Sequence, residues 1–192
     1  MTNAQQKIQE LVWDPARAGD LLAPLRAGDC LMLTGTIYTG RDKAHQRLCQ
    51  LLDAGQPLPL DLEGQIIYFA GPTPAKPGAV VGSIGPTTAG RMDAFSPQLL
   101  RQAHLAGMIG KGPRNEAVLS AMAETGALYF AAVGGAGALI GQCIRSAEVV
   151  AFADLGTEAI RRLEVERFPL IVATDAYGGN IYVSGPAAYR RL

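Results

Sequence analysis

Residues 29–52 read DCLMLTGTIYTGRDKAHQRLCQLL, and two periodicities meet inside them. From Asp29 to Tyr38, β-branched and aromatic side chains sit in an alternating run, the pattern of a strand. Thr39 and Gly40 then turn the chain, and Ala44, Leu48, Leu51 and Leu52 fall at helical spacing. The same strand–turn–helix alternation continues outward. Strands are expected at 65–70 (QIIYFA), 80–84, 108–109, 127–133 (ALYFAAV), 148–152, 170–174 and 180–183. Helices are expected over 97–106, 114–125 and 137–144, with a short helical segment after 85–90 and a partly helical stretch over 4–12. Strands alternating with helices inside one unit favour a single α/β domain, a mixed sheet with flanking helices, over an all-β barrel. That domain is expected over 20–192, behind an N-terminal arm of residues 1–19.

The composition fits a folded chain of 192 residues: 48% apolar and 18% charged, enough hydrophobic side chain for a sizeable core. Lys+Arg and Asp+Glu both number 17, so no global field would draw in nucleic acid or an anionic membrane. Only Lys7, Lys43, Lys76 and Lys111 are lysines, so the basic charge is mostly arginine and its position matters more than its sum. Cys30, Cys49 and Cys143 are few, odd in number and far apart, which suits reduced thiols better than a disulfide frame. With no CxxC and two histidines, His45 and His104, the chain has no self-contained metal signature. The polar N-terminus lacks an apolar leader, and no run approaches the length of a membrane span. A cytoplasmic location is the expectation.

Three places share one design, in which a strand ends, a glycine turns the backbone and a cation or hydroxyl comes next. They are Gly40-Arg41-Asp42, Gly85-Pro86-Thr87-Thr88-Ala89-Gly90-Arg91 and Gly110-Lys111-Gly112-Pro113. Backbone N–H groups and arginine forks at such turns bind anions, and an arginine fits a carboxylate bidentately. Two arginines and a lysine on one pocket would suit a small dicarboxylate, with Thr87 or Thr88 offering a hydroxyl. Each residue also has a plainer reading: Arg41 as a solvated helix start, Arg91 as a surface partner of Asp93, Thr87 and Thr88 as turn or cap residues, and His45 as a hydrogen-bonded structural histidine. Lys111 between two glycines is harder to explain without close backbone approach. Two nucleotide motifs fail. Gly135-Ala136-Gly137 leads to Ile140 where the dinucleotide fingerprint needs glycine, and the Gly110-Lys111 pair is succeeded by glycine instead of Ser or Thr.

The segments GTIYTGRDKAH (35–45), FAGPTPAKPG (69–78), IGPTTAGRMD (84–93), MIGKG (108–112), AAVGGAGAL (131–139) and AEVVAFADLGTEAIRRLEVERFPLIVATD (147–175) together resemble the β subunit of two-subunit class I fumarases. The likeness spans about residues 20–187. It extends to the C-terminal domain of single-chain class I fumarases and, more distantly, to the L(+)-tartrate dehydratase β subunit. The resemblance implies a swivelling β/β/α fold and an iron–sulfur hydro-lyase that reversibly hydrates fumarate to (S)-malate. It implies a 4Fe-4S cluster ligated by a partner α subunit and not by this chain, with water activated at its open iron. By motif, Arg41, Arg91 and Lys111 would bind substrate carboxylates. Thr87 would act at the carbon that loses or gains the proton, activated by an aspartate of the partner. Asp42, His45 and Thr88 would support them. An α2β2 or similar hetero-oligomer with β–β contacts is implied. Glycine at both 40 and 90 matches the fumarase pattern, which favours fumarate over tartrate. Mesaconate fits the same clamp, and a non-catalytic dicarboxylate-binding module is the alternative from another class.

Overall fold

A computed structural model describes residues 8–190. Within that range, seven strands form one mixed sheet in the order β1-β2-β3-β4-β5-β7-β6. In chain order the elements are β1 (Ile8–Val12), α1 (Ala18–Leu22), β2 (Cys30–Thr39), α2 (Asp42–Asp53), β3 (Ile66–Tyr68), α3 (Ser96–Gln102), β4 (Gly107–Gly110) and α4 (Glu116–Thr125). Next come β5 (Leu128–Ala131), α5 (Gly137–Gln142), β6 (Ile144–Ala151), β7 (Ile160–Thr174) and α6 (Ile181–Tyr189). A short 3-10 segment lies at Ala89–Met92 and another at Ala153–Glu158.

Strands β2, β3, β4 and β5 run parallel to one another, whereas β7 is antiparallel to β2, β5 and β6. Because β7 pairs with both β5 and β2, the pairings β2–β3–β4–β5–β7 return to β2 and close a ring. The period-two alternation of a strand then sorts side chains into two cores. Ile66, Tyr68, Ile109, Leu128 and Phe130 face one cluster with Leu33, Ile37, Leu163, Phe168 and Val172 of β2 and β7. Their neighbours Ile67, Phe69, Met108 and Tyr129 face the other, where Ala44 and Leu48 of α2, Leu99 and Leu100 of α3, and Val118 and Met122 of α4 cover them. Three layers result: antiparallel strands, parallel strands, helices. The expected α/β class with a mixed sheet and flanking helices is the observed architecture.

Several local expectations are corrected. Residues 8–12 form a strand, paired in parallel with Cys30–Thr34, instead of helix; residues 4–7 of that expected helix lie outside the described range. Residues 80–84 find no ladder partner. They lie in a loop whose Ser83 C=O accepts from Thr73 N–H and whose Ile84 N–H donates to Gly137 C=O. Residues 181–183, expected as strand, open α6 because the Asn180 side chain accepts from the Tyr182 N–H and caps the helix. Strand β7 is fifteen residues long and begins ten residues before the expected 170–174.

Candidate active site at the carboxyl ends of the parallel strands

Parallel strands end on the same side, so the segments that leave them collect at one edge. Strand β2 ends into Arg41 and α2, and β4 runs into Lys111. After β3 the chain leaves through a long loop and returns at Thr87. That residue is stitched between the two strand ends: its N–H donates to Phe69 C=O at 2.6 Å, and its C=O accepts from Lys111 N–H at 3.2 Å. The Ala89 N–H closes the bridge onto Lys111 C=O at 2.8 Å. Gly110 is required here. A Cβ on it would lie 2.9 Å from a Phe69 ring carbon and 3.2 Å from the Ala89 side chain. Gly112 has φ of +82°, a left-handed conformation. Its N–H donates to the Tyr182 hydroxyl at 3.0 Å, and its C=O accepts from the Tyr129 hydroxyl at 2.9 Å. Thus two tyrosines, neither singled out by the sequence, fix the loop that carries Lys111.

The two arginines are held differently. Arg91 forms a bidentate pair with Asp42, Nε to Oδ1 at 3.0 Å and a terminal nitrogen to Oδ2 at 2.6 Å. The sequence offered Asp93 as its partner; that carboxylate is taken by the buried Arg114 at 2.6 Å instead. Asp42 opens α2, where the helix dipole favours a carboxylate, so the pair joins the second cationic turn to the first. Arg41 is mostly enclosed. Its side chain lies along Gly71, where a Cβ would come 3.3 Å from its Cδ, and a terminal nitrogen lies 3.7 Å from Glu158. Its Nε is buried with no hydrogen-bond partner among the described residues. Among those residues the Thr87 and Thr88 hydroxyls and the Lys111 ammonium make no side-chain hydrogen bond either. These groups lie on an open edge. A cavity at the opposite, amino-terminal ends of the strands is lined by Glu63, Gly64, His104 and Gly126, and carries no part of this cluster.

His45 sits beneath Arg41. A carbonyl can only accept, so the 2.9 Å contact to Arg41 C=O makes Nδ1 the protonated nitrogen and leaves Nε2 buried without a partner among the described residues. The ring packs edge-on against Phe69 with centroids 5.2 Å apart, and Gly40 leaves room for it, since a Cβ there would lie 3.2 Å from His45 Cε1. Burial, opposed by the bond to Arg41 and reinforced by the charge of Arg114, lowers the His45 pKa to about 4. The unfolded chain therefore takes up this proton first as pH falls. His45 should cost about 3 kcal/mol of stability as pH falls from neutral to 4, levelling off below that. Denaturant unfolding at pH 7 and pH 4 should show that loss in the wild type and less of it in His45→Gln; equal losses would contradict it.

No group of three or more His, Cys, Asp or Glu residues among the described ones is placed to hold a metal ion. Burial raises the Cys49 thiol to about 11 and also raises Cys143, so neither is a ready thiolate. The described residues of this chain do not form a ligand set for an iron–sulfur cluster. No described helix is long and apolar enough to cross a membrane.

Residues 2–185 match the family described as Fumarase C-terminus. The chain belongs to that family. Among relatives of this fumarase C-terminal chain is the anaerobic class I fumarate hydratase of Escherichia coli K12, 42% identical over 153 residues, which are 79% of this chain and 28% of that protein. A mitochondrial fumarate hydratase 1 of Leishmania major is 40% identical over the same share of this chain, 28% of its own length. This chain therefore spans less than a third of those proteins. A protein of Methanocaldococcus jannaschii, provisionally named L(+)-tartrate dehydratase subunit beta, is 40% identical over 163 residues, 82% of this chain and 84% of that one.

Proposed function

We propose that this chain is the β subunit of a class I fumarate hydratase, a hydro-lyase interconverting fumarate and (S)-malate with an α subunit that carries the 4Fe-4S cluster. The observation that carries the reading is the meeting of Arg41, Thr87, Arg91 and Lys111 at the carboxyl ends of β2, β3 and β4. A four-carbon diacid presents two carboxylates, and this edge presents two arginine forks and an ammonium. The cluster belongs to the α subunit in this reading. Left to this chain are carboxylate binding by Arg41, Arg91 and Lys111, and proton handling at Thr87 Oγ1, whose proton an aspartate of the α subunit would take. Asp42 and His45 hold the two arginines, and Thr88 flanks the lysine. An open edge suits a site finished by another subunit. The Methanocaldococcus relative, most of which this chain covers, supports a β subunit as a separate polypeptide.

The ring of pairings with its parallel layer under helices supports the swivelling β/β/α fold. The proposal includes an α2β2 or similar assembly with β–β contacts and a cytoplasmic location.

That same relative also favours a second reading, the β subunit of L(+)-tartrate dehydratase. Gly90 bears on the choice. A Cβ there would meet nothing closer than Asp93 at 4.0 Å, so a bulkier residue beside Arg91 would fit and would narrow the site. Glycine at this position leaves that space open, which supports the fumarate reading. Co-expression with the α subunit and anaerobic reconstitution, with kcat/KM then measured for fumarate, mesaconate and tartrate, decides. Fumarate is expected to lead. A lead for mesaconate or tartrate would reassign the substrate, and binding of malate with no turnover of any of the three would leave a dicarboxylate-binding module.

A further inference from the structure

The segment 153–158, ADLGTE, belongs to none of the three cationic turns, yet it forms the wall against which Arg41 rests. It is anchored to α2 from outside: Arg47 pairs with both carboxylate oxygens of Asp154 at 2.8 and 2.5 Å, and its guanidinium lies 5.4 Å over the Phe152 ring. It is anchored to β2 from inside, through the buried Thr39 hydroxyl, which donates to Ala159 C=O at 3.4 Å and accepts from Arg161 N–H at 3.0 Å. Across from it stands Gly71. A Cβ there would come within 2.6 Å of Thr157 C=O and 3.3 Å of Arg41 Cδ, so the Arg41 stem is confined between the β3 loop and this segment.

Glu158 ends the segment, with its side chain about four-fifths buried. One carboxylate oxygen accepts from the Lys43 N–H of α2 at 2.9 Å; the other lies 3.7 Å from an Arg41 terminal nitrogen. The first contact fixes the carboxylate without help from Arg41. The second is too long for a hydrogen bond, so it is Coulombic and consumes none of the guanidinium donors. Arg41 is thereby drawn toward Glu158 while its terminal N–H groups make no hydrogen bond to a described residue. Arg91, by contrast, has two nitrogens committed to Asp42.

We propose that Glu158 is a positioning residue for Arg41: it holds the guanidinium by charge alone, so that the arginine meets one substrate carboxylate with its fork uncommitted. The inference rests on the diacid reading above, and it makes the grip on one carboxylate depend on a residue that touches no substrate.

Glu158→Gln keeps the shape and the acceptor for Lys43 N–H but removes the charge. In the assembled holoenzyme, the preference in kcat/KM for fumarate over its half-amide, fumaramate, should fall about tenfold, because a misplaced fork loses most where a charged carboxylate must be matched. Asp154→Asn loosens the same segment without touching Arg41, and should leave that preference unchanged. A second readout needs no turnover. In the isolated chain, the Arg41 Nε–H is buried, and its exchange with solvent monitored by 15N NMR should be faster in Glu158→Gln than in wild type. Unchanged exchange, or an unchanged preference, overturns the proposal, as does an equal fall in Asp154→Asn. A wild-type holoenzyme that hydrates neither substrate would sink the diacid reading, and the exchange measurement would still decide the role of Glu158.

Discussion

Replacing Asp93 by alanine should destabilise the fold by about 3–5 kcal/mol, the usual cost of leaving one member of a buried ion pair alone. The Arg114 side chain is fully buried. Its Nε donates to Asp93 Oδ1 at 2.6 Å, one terminal nitrogen donates to Ser96 Oγ at 2.7 Å, and the other meets Met108 Sδ at 3.2 Å. The guanidinium lies 5.2 Å from the centroids of both Phe69 and Tyr129. Burial pulls its pKa down, and the Asp93 charge opposes that pull. With the carboxylate gone, a cation remains in an apolar setting with one hydroxyl and a thioether for company. Asp93 Oδ2 also accepts from the Asn115 N–H at 2.9 Å, so α4 loses an anchor at its start. Arg114→Met should cost less, because it leaves a carboxylate that is partly exposed and keeps the Asn115 bond. Denaturant midpoints for the two variants and their double mutant measure this. A loss below about 1 kcal/mol for Asp93→Ala would place the pair with ordinary surface bridges.

This ion pair also lies against Phe69 and Tyr129, which hold the loops of Thr87 and Lys111, and nothing in the sequence announced it. Asp93 stands two residues from Arg91 and looked like its partner; only the fold brings Arg114 under the Phe69 ring and sends Arg91 to Asp42. What local pattern controls was legible. The strand and helix of 29–52 lie where their periodicities put them, because α2 buries Ala44, His45, Leu48 and Cys49 on one face and β2 alternates. The three glycine turns were legible as strand ends followed by a cation or hydroxyl, and the structure brings them to one edge, where the proposed reading gives them their anion-binding role. What depends on pairing was not. The first half of β7, IRRLEVER, is rich in charge because only one of its faces is buried, and it reads as a solvated segment until β2 and β6 flank it. The IYV of 181–183 looks like strand from its β-branched residues, yet capping by Asn180 and the lack of a partner strand make it helix. Glu158 and Tyr182 act across 115 and 70 residues of chain on Lys43 and Gly112, distances over which no sequence spacing carries a signal.

Thr87→Val should lower kcat by about 10²–10⁴, the range for loss of a positioned proton-transfer group, while KM moves little. Valine keeps the branched shape of threonine and removes only the hydroxyl. Everything that fixes Thr87 in place is backbone: its N–H on Phe69 C=O, and its C=O under Lys111 N–H. None of it is lost in the variant. The hydroxyl makes no hydrogen bond to a described residue, so its removal leaves no orphaned partner and the unfolding midpoint should not shift. The proton step is then the one thing removed. Lys111→Met is the contrasting case. It deletes a charge held between two glycines and should raise KM for the diacid with a smaller effect on kcat, since in the proposed role the lysine would bind a carboxylate in ground and transition state alike. Steady-state kinetics of both variants in the assembled enzyme, in the hydration and dehydration directions, separate the two roles. If Thr87→Val raised KM and spared kcat, the threonine would be a binding residue. The proton would then have to be handled entirely by the α subunit, leaving this chain the carboxylate clamp alone.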